Sequence, residues 1–331
     1  MICMLKYIPF TTHIIPFTPP EHMLSESNAT IRLSKRSKGV INMKNLLKQI
    51  GKALGYFAVY FVTSNVVTSV FSLILGYVKG KEYKAAGMGY EEGLELLKTD
   101  QAAMTGILLL ISAILTLLIY FIVEKVKKSS LFKEADIKPA TGKQIGLSVV
   151  GALGAMFFMN FMISILPIPK ELTGDLASGM TKLTSYPFWQ AILANALVVP
   201  VMEEVLFRGY IFSRLEKAMP SIVAAIISSV VFGICHGGLL WAVWAFILGM
   251  FICVVRIKSG SIVPGIIIHI IMNTFAMIVS YFPVLENMTN LVMYILTAVG
   301  GILMAVYVVG ILKDKIAPSK DQAKVVITES K

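Results

Sequence analysis

The chain has 331 residues, of which 56% are apolar and 15% charged, with 30 basic against 19 acidic side chains and a net charge of +11. Soluble domains are about 45–50% apolar and about 25% charged, so this composition excludes a water-soluble enzyme, and the hydrophobicity excludes intrinsic disorder. Three cysteines, an odd number with Cys235 and Cys253 inside apolar runs, exclude a disulfide scaffold. What is left is an all-α polytopic membrane helical bundle.

In chain order, residues 1–52 read as a cytoplasmic N-terminal arm. Four prolines and the basic cluster Arg32, Lys35, Arg36 and Lys38 precede Met43. Met43 opens the basic, helix-compatible stretch MKNLLKQIGKALGYF and is a candidate natural start, the upstream part being either a true arm or an overlong start. Eight apolar segments then follow, each near the length of about 20 residues that a spanning helix needs. They run over 53–78, 104–123, 145–166, 187–207, 220–237, 239–255, 261–281 and 291–312. The 79–103 loop carries charges of both signs and is expected to form a short external helix. The tail 313–331 is polar and does not end in a prenylation box. The expected organisation is accessory spans and loops over 53–186, a core unit over 187–281, a last span within 282–312 and a flexible cytoplasmic tail.

Lysine and arginine set the orientation. With the N-terminus inside, 24 of the 30 basic residues fall on the cytoplasmic side, counting Arg208 and Arg256 at span ends as inside. The positive-inside rule then places both termini in the cytoplasm. The same distribution accounts for the net charge without nucleic acid, since no basic stripe is interleaved with aromatic residues. The expected location is a cell membrane, and the lipid bilayer is the first partner.

Most spans carry no charge. The fourth is the exception, with Pro200-Val-Met-Glu203-Glu204-Val-Leu-Phe-Arg208. An acidic side chain at mid-helix costs about 2.5–3.5 kcal/mol on insertion scales, so such residues point to function. Glu204 and Arg208 are four apart, acid first, the favoured order for an intrahelical ion pair. They are assigned to structure. Glu203, about 100° round the helix, is the acid without a local partner and suits a proton acceptor.

Of four histidines, His13 and His22 lie in the N-terminal arm, whereas His236 and His269 fall within apolar spans. His269 and Asn273 share a helix face at four-residue spacing. Phe232 precedes His236 by one turn and reads as core packing. Glu203, His236, His269 and Asn273, on three helices, are the parts needed to hydrolyse an amide. A carboxylate and an imidazole can deprotonate water, and an imidazole and a carboxamide can stabilise an oxyanion. Glu203, His236 and His269 could instead ligate a divalent metal such as zinc that activates the water. Sequence leaves both versions open. There is no H-E-x-x-H helix, no serine paired with histidine in the spans and no intramembrane aspartate pair. Cys235 diverges from His236 by about 100°, against a thiol mechanism.

Glu203-Glu204-x-x-x-Arg208, Phe232-x-x-x-His236 and His269-x-x-x-Asn273 resemble the three ordered motifs of the CPBP family, the CAAX-prenyl-protease-2-like or Abi family of intramembrane proteases. The run Ser259-Gly-Ser-Ile-Val-Pro-Gly-Ile-Ile-Ile-His269 is similar to the family's approach to its last motif. The resemblance covers about 187–281. It implies an intramembrane endopeptidase that acts on membrane-anchored or membrane-associated peptides and proteins. In it Glu203 activates water with His236, His269 and Asn273 stabilise the oxyanion, and Glu204 and Arg208 support the helix. The family is commonly called metalloendopeptidase-like, and a metal-free glutamate mechanism is also argued for it. Some bacterial relatives are linked to bacteriocin immunity.

One expectation conflicts with the span boundaries. Glu203 falls near the cytoplasmic end of its span, whereas His236 lies sixteen residues along the next, or ~24 Å at 1.5 Å per residue. The two depths meet only if helices tilt strongly or the fifth begins below the membrane plane. Two readings compete with the enzyme. One is a non-catalytic immunity or scaffold protein, which would not need Glu203. The other is a proton-coupled transporter, disfavoured by the lack of repeat symmetry.

Overall fold

The computed structural model describes residues 42–166, 183–282 and 288–313, together with Pro169, Gly174, Gly179 and Thr181. The expectations for the arm before residue 42, including His13 and His22, and for the tail after residue 313 lie outside the described residues. All regular elements among the described residues are helical. Apart from the single turn Leu131–Glu134, they are in chain order α1 (Met43–Ala85), α2 (Tyr90–Ala103), α3 (Thr105–Val126), α4 (Gly142–Ile165), α5 (Phe188–Leu215), α6 (Ser221–Ile234), α7 (Leu239–Ser259), α8 (Val263–Tyr281) and α9 (Asn290–Lys313). Seven of these nine, all but α2 and α6, are long and apolar enough to cross a membrane.

Local chemistry fixes the ends. Asn42 caps α1, its side-chain oxygen accepting from the Asn45 amide at 3.1 Å. The helix continues to Ala85, beyond the expected boundary at 78, and the expected loop helix is α2, with Glu91 and Glu92 in its first turn. Pro264 sits in the first turn of α8, where its missing N–H costs nothing. Gly260 closes α7 in the left-handed conformation at φ 67°.

Two expectations need correction, and both bear on the site. The fourth span was expected to end at 207, with Arg208 at the water boundary. Instead α5 runs to Leu215, because Arg208 is fully buried against Glu204 rather than solvated. The fifth apolar segment, expected over 220–237, is a helix of only 14 residues, Ser221–Ile234. It stops because Gly237 and Gly238 adopt left-handed φ values of 67° and 49°. His236 therefore lies in the turn between α6 and α7, not inside a spanning helix. The corrections remove the depth conflict. Glu203 stands 12 residues before the end of α5, and His236 stands 15 residues after the start of α6. Both lie roughly 20 Å from the α5–α6 connection at 1.5 Å per residue.

Helix α5 is not uniformly α-helical. Ile192–Val198 and Val205–Phe212 are π-helical and flank the α-helical segment Val199–Glu204. Such widened turns concentrate at functional sites.

Around α5 the core is built from aromatic and small residues. Tyr56 of α1 stacks on Tyr210 of α5 at 3.8 Å, and Tyr120 of α3 meets Tyr210 edge-on at 5.1 Å. The Tyr56 hydroxyl donates to Glu124 at 2.5 Å, and Lys127 donates to the same oxygen at 3.0 Å. α4 and α9 approach along glycines. A Cβ at Gly154 would stand 2.8 Å from the Met304 amide nitrogen, and one at Gly300 would collide with that of Phe158. Small residues permit this contact between membrane helices. The α3–α4 connection is tied to the ends of α5 and α7. Arg256 donates to Asp136 at 2.6 Å and to Ser213 at 2.9 Å, and Arg214 donates to Glu134 at 2.6 Å.

Candidate active site

The adjacent acids of α5 occupy different surroundings. Glu204 is fully buried, and Arg208 Nη1 donates to its Oε1 at 2.9 Å. The same oxygen lies 2.9 Å from His269 Nδ1. A carboxylate with two bonded partners accepts, so Nδ1 carries the hydrogen. This fixes the ring and turns Nε2 toward Glu203, whose Oε2 lies 3.7 Å away. The Glu203 side chain is 13% exposed, against 2% for His269. Glu203 is thus the member of the group that reaches accessible space.

His236 is oriented by its own backbone. Its Nδ1 lies 2.8 Å from the Phe232 carbonyl oxygen, which can only accept, so Nε2 is the free nitrogen. Phe232 does more than fill the core. Its fully buried ring meets His236 edge-on at 4.5 Å, His269 at 5.8 Å and Phe207 at 5.0 Å. The Arg208 guanidinium lies over the same ring at 4.4 Å, a cation–π contact. One aromatic side chain therefore fixes both imidazoles and the arginine.

Asn273 lies one turn beyond His269 on α8. Its Nδ2 donates to the Asn195 carbonyl of α5 at 2.8 Å. The Asn195 side-chain amide in turn donates to the Tyr186 hydroxyl.

Close helix approach makes room for these groups. A Cβ at Gly249 of α7 would lie 3.1 Å from Arg208 Nη2, and one at Gly265 of α8 would lie 2.6 Å from Ile252 Cγ2 and 3.5 Å from Glu204 Oε2.

The structure joins Glu203, His269, Glu204 and Arg208 in one chain of contacts. His236 connects to it through Phe232, and Asn273 connects through α8. It is His269, not His236, that stands within 4 Å of Glu203. Sequence reasoning missed the bond between Glu204 and His269, which are 65 positions apart and share no spacing signal. It also missed Asn195, a polar residue inside an apolar span, which was a readable signal. Among the described residues, no three histidine, cysteine or acidic side chains gather as a metal-binding group. The expected ligands Glu203, His236 and His269 are therefore not gathered as such a group. They do not fit the expected metal in this arrangement.

Residues 185–275 match the family described as type II CAAX prenyl endopeptidase Rce1-like, and this stretch contains all three motifs. The chain is 29% identical over 130 residues to "UPF0177 protein YxdF" of Lactococcus lactis subsp. lactis (strain IL1403), a match covering 37% of this chain and 72% of that protein. It is 29% identical over 148 residues to "Putative membrane peptidase YdiL" of Bacillus subtilis (strain 168), covering 42% of this chain and 59% of that protein. No solved structure matches the chain. The resemblance read from the motifs holds at this level: the chain is an integral membrane protein, and over residues 185–275 it is matched to the Rce1-like family of CAAX-type peptidases.

Proposed function

We propose that the protein is an intramembrane endopeptidase that hydrolyses peptide bonds of membrane-anchored substrates with water activated by Glu203. The observation that carries this reading is the contact chain Glu203–His269–Glu204–Arg208, buried except at Glu203. Two carboxylates beside one guanidinium leave an excess negative charge in a low-dielectric bundle. The oxyanion role proposed below requires His269 to hold a hydrogen on each ring nitrogen, donating from Nδ1 to Glu204 and presenting Nε2–H on the side of Glu203.

Water enters between Glu203 and the free Nε2 of His236. Its oxygen attacks the peptide carbonyl carbon while Glu203 takes one of its protons. Negative charge passes from Glu203 to the carbonyl oxygen. That oxyanion is met by His269 Nε2–H and the second N–H of Asn273, donors positioned before the reaction begins. When the tetrahedral intermediate collapses, Glu203 returns the proton to the leaving amine. The charge of the site is the same at every stage, which suits an apolar setting. No step runs through a metal.

A membrane-anchored reporter incubated with purified protein tests the reading. Glu203→Gln and His269→Ala are expected to abolish cleavage. The competing reading, a non-catalytic immunity or scaffold protein, predicts full phenotype in cells for the Glu203→Gln variant.

A further inference from the structure

Pro200 lies one turn before the acidic pair and is buried. Its consequence lies in the backbone. Over Ile192–Val198 the helix is π-helical, and the last bond of that register runs from the Val199 amide to the Ala194 carbonyl, five residues back. The next bond would join the amide of residue 200 to the carbonyl of Asn195. Proline has no N–H, so this carbonyl is left without a backbone partner. An unpaired carbonyl inside an apolar bundle is costly. Asn273 Nδ2 supplies the missing donor at 2.8 Å.

We infer that Pro200 is a positioning residue for Asn273: by withholding an N–H it reserves the Asn195 carbonyl for the Asn273 side chain. The bond has two effects. It ties α8 to α5 at the level of the site. It also settles which end of the carboxamide faces which way, since only the NH2 group can donate to a carbonyl. One N–H is bound to Asn195 and the other is left for the oxyanion. The inference rests on the proposed role of Asn273, but the reserved carbonyl can be tested separately.

Pro200→Ala supplies the N–H. In a π register the new amide bonds to Asn195; if the segment relaxes to an α-helix, the Val199 amide does so instead. In either register the Asn195 carbonyl no longer needs Asn273. Thermal unfolding in detergent of the wild type, Pro200→Ala, Asn273→Ala and the double variant measures this directly. In the wild-type background Asn273→Ala is expected to lower Tm by about 2–4 °C, the shift expected for one lost buried hydrogen bond. In the Pro200→Ala background it is expected to lower Tm by less than half as much. Equal losses in both backgrounds would overturn the inference.

The same four proteins, assayed on a fluorogenic prenylated CAAX peptide and on a membrane-anchored reporter, separate the two readings. Pro200→Ala is expected to lower kcat about tenfold with little change in KM, and Asn273→Ala to add little further loss. An Asn273→Ala variant with unchanged kcat would remove the oxyanion role while leaving the unfolding result to judge the reserved carbonyl.

Discussion

Glu204 and His269, 65 positions apart in the chain, meet at 2.9 Å through an oxygen that Arg208 also binds at 2.9 Å. The bond converts an intrahelical ion pair into a support for a histidine on another helix. It also gives the two neighbouring acids separate tasks, Glu204 orienting His269 and Glu203 facing the accessible side.

The first prediction follows from burial. Removing one member of a buried ion pair leaves the other charge uncompensated, at about 3–5 kcal/mol. Glu204→Ala and Arg208→Met are each expected to cost that much in stability. The combined Glu204→Leu/Arg208→Met variant is expected to be milder than either, because no unpaired charge remains in that pair. Unfolding of the three variants in detergent measures the order, and a double variant worse than both singles would contradict the assignment.

Gly265 gives a packing prediction. A methyl group there would stand 2.6 Å from Ile252 Cγ2 on the facing helix. Gly265→Ala is expected to destabilise by about 1–3 kcal/mol through overpacking and to disturb Glu204. Adding Ile252→Ala removes the clashing branch, so partial recovery of Tm in the double variant is the expected result.

The connection between α3 and α4 carries a pH dependence. Burial raises the Glu134 carboxyl, but the hydrogen bond from Ser129 and the charges of Arg214 and Lys217 outweigh this and hold it below the ordinary carboxylate range. A carboxyl lowered in the folded state contributes stability above its unfolded value and loses it as pH falls through the folded value. Glu134→Gln is therefore expected to destabilise at pH 7, by less than about 1 kcal/mol for a pair partly open to solvent. The difference from wild type should shrink on acidification to about pH 3. Unfolding curves across that range check it.

The arrangement of donors also makes a prediction. Because no proposed step runs through a metal and no three donors gather among the described residues, the account expects cleavage to persist after exhaustive chelation. Loss of activity on chelation, with recovery on adding zinc, would restore the version in which Glu203, His236 and His269 bind a metal.

The sequence made the helical bundle legible because its apolar runs are long and its charges few. The acids and imidazoles were legible for the same reason: a charged or hydrogen-bonding side chain in an apolar run is costly enough to need an explanation. Arg208 was misread as a span end, since a sequence shows a charge but not its tertiary partner. The α6–α7 turn is marked in the sequence by Gly237-Gly238, but the apolar run 220–237 carries through His236, since hydropathy does not register where a helix stops. The partners of His269 and Asn273 were hidden altogether. They depend on contacts between α5 and α8, which no local spacing encodes.

The most direct measurement is the rate of reporter cleavage by Glu203→Gln beside that of the wild type, with Tm recorded for both. Glu203 is partly exposed and makes no bond that Glu204 does not make more strongly, so the variant should retain the wild-type Tm within about 2 °C, on the scale of about 1 kcal/mol or less. Its cleavage should fall by at least about 10³-fold, as expected when a group that takes the water proton is lost. A folded Glu203→Gln protein that still cleaves at the wild-type rate would contradict the account.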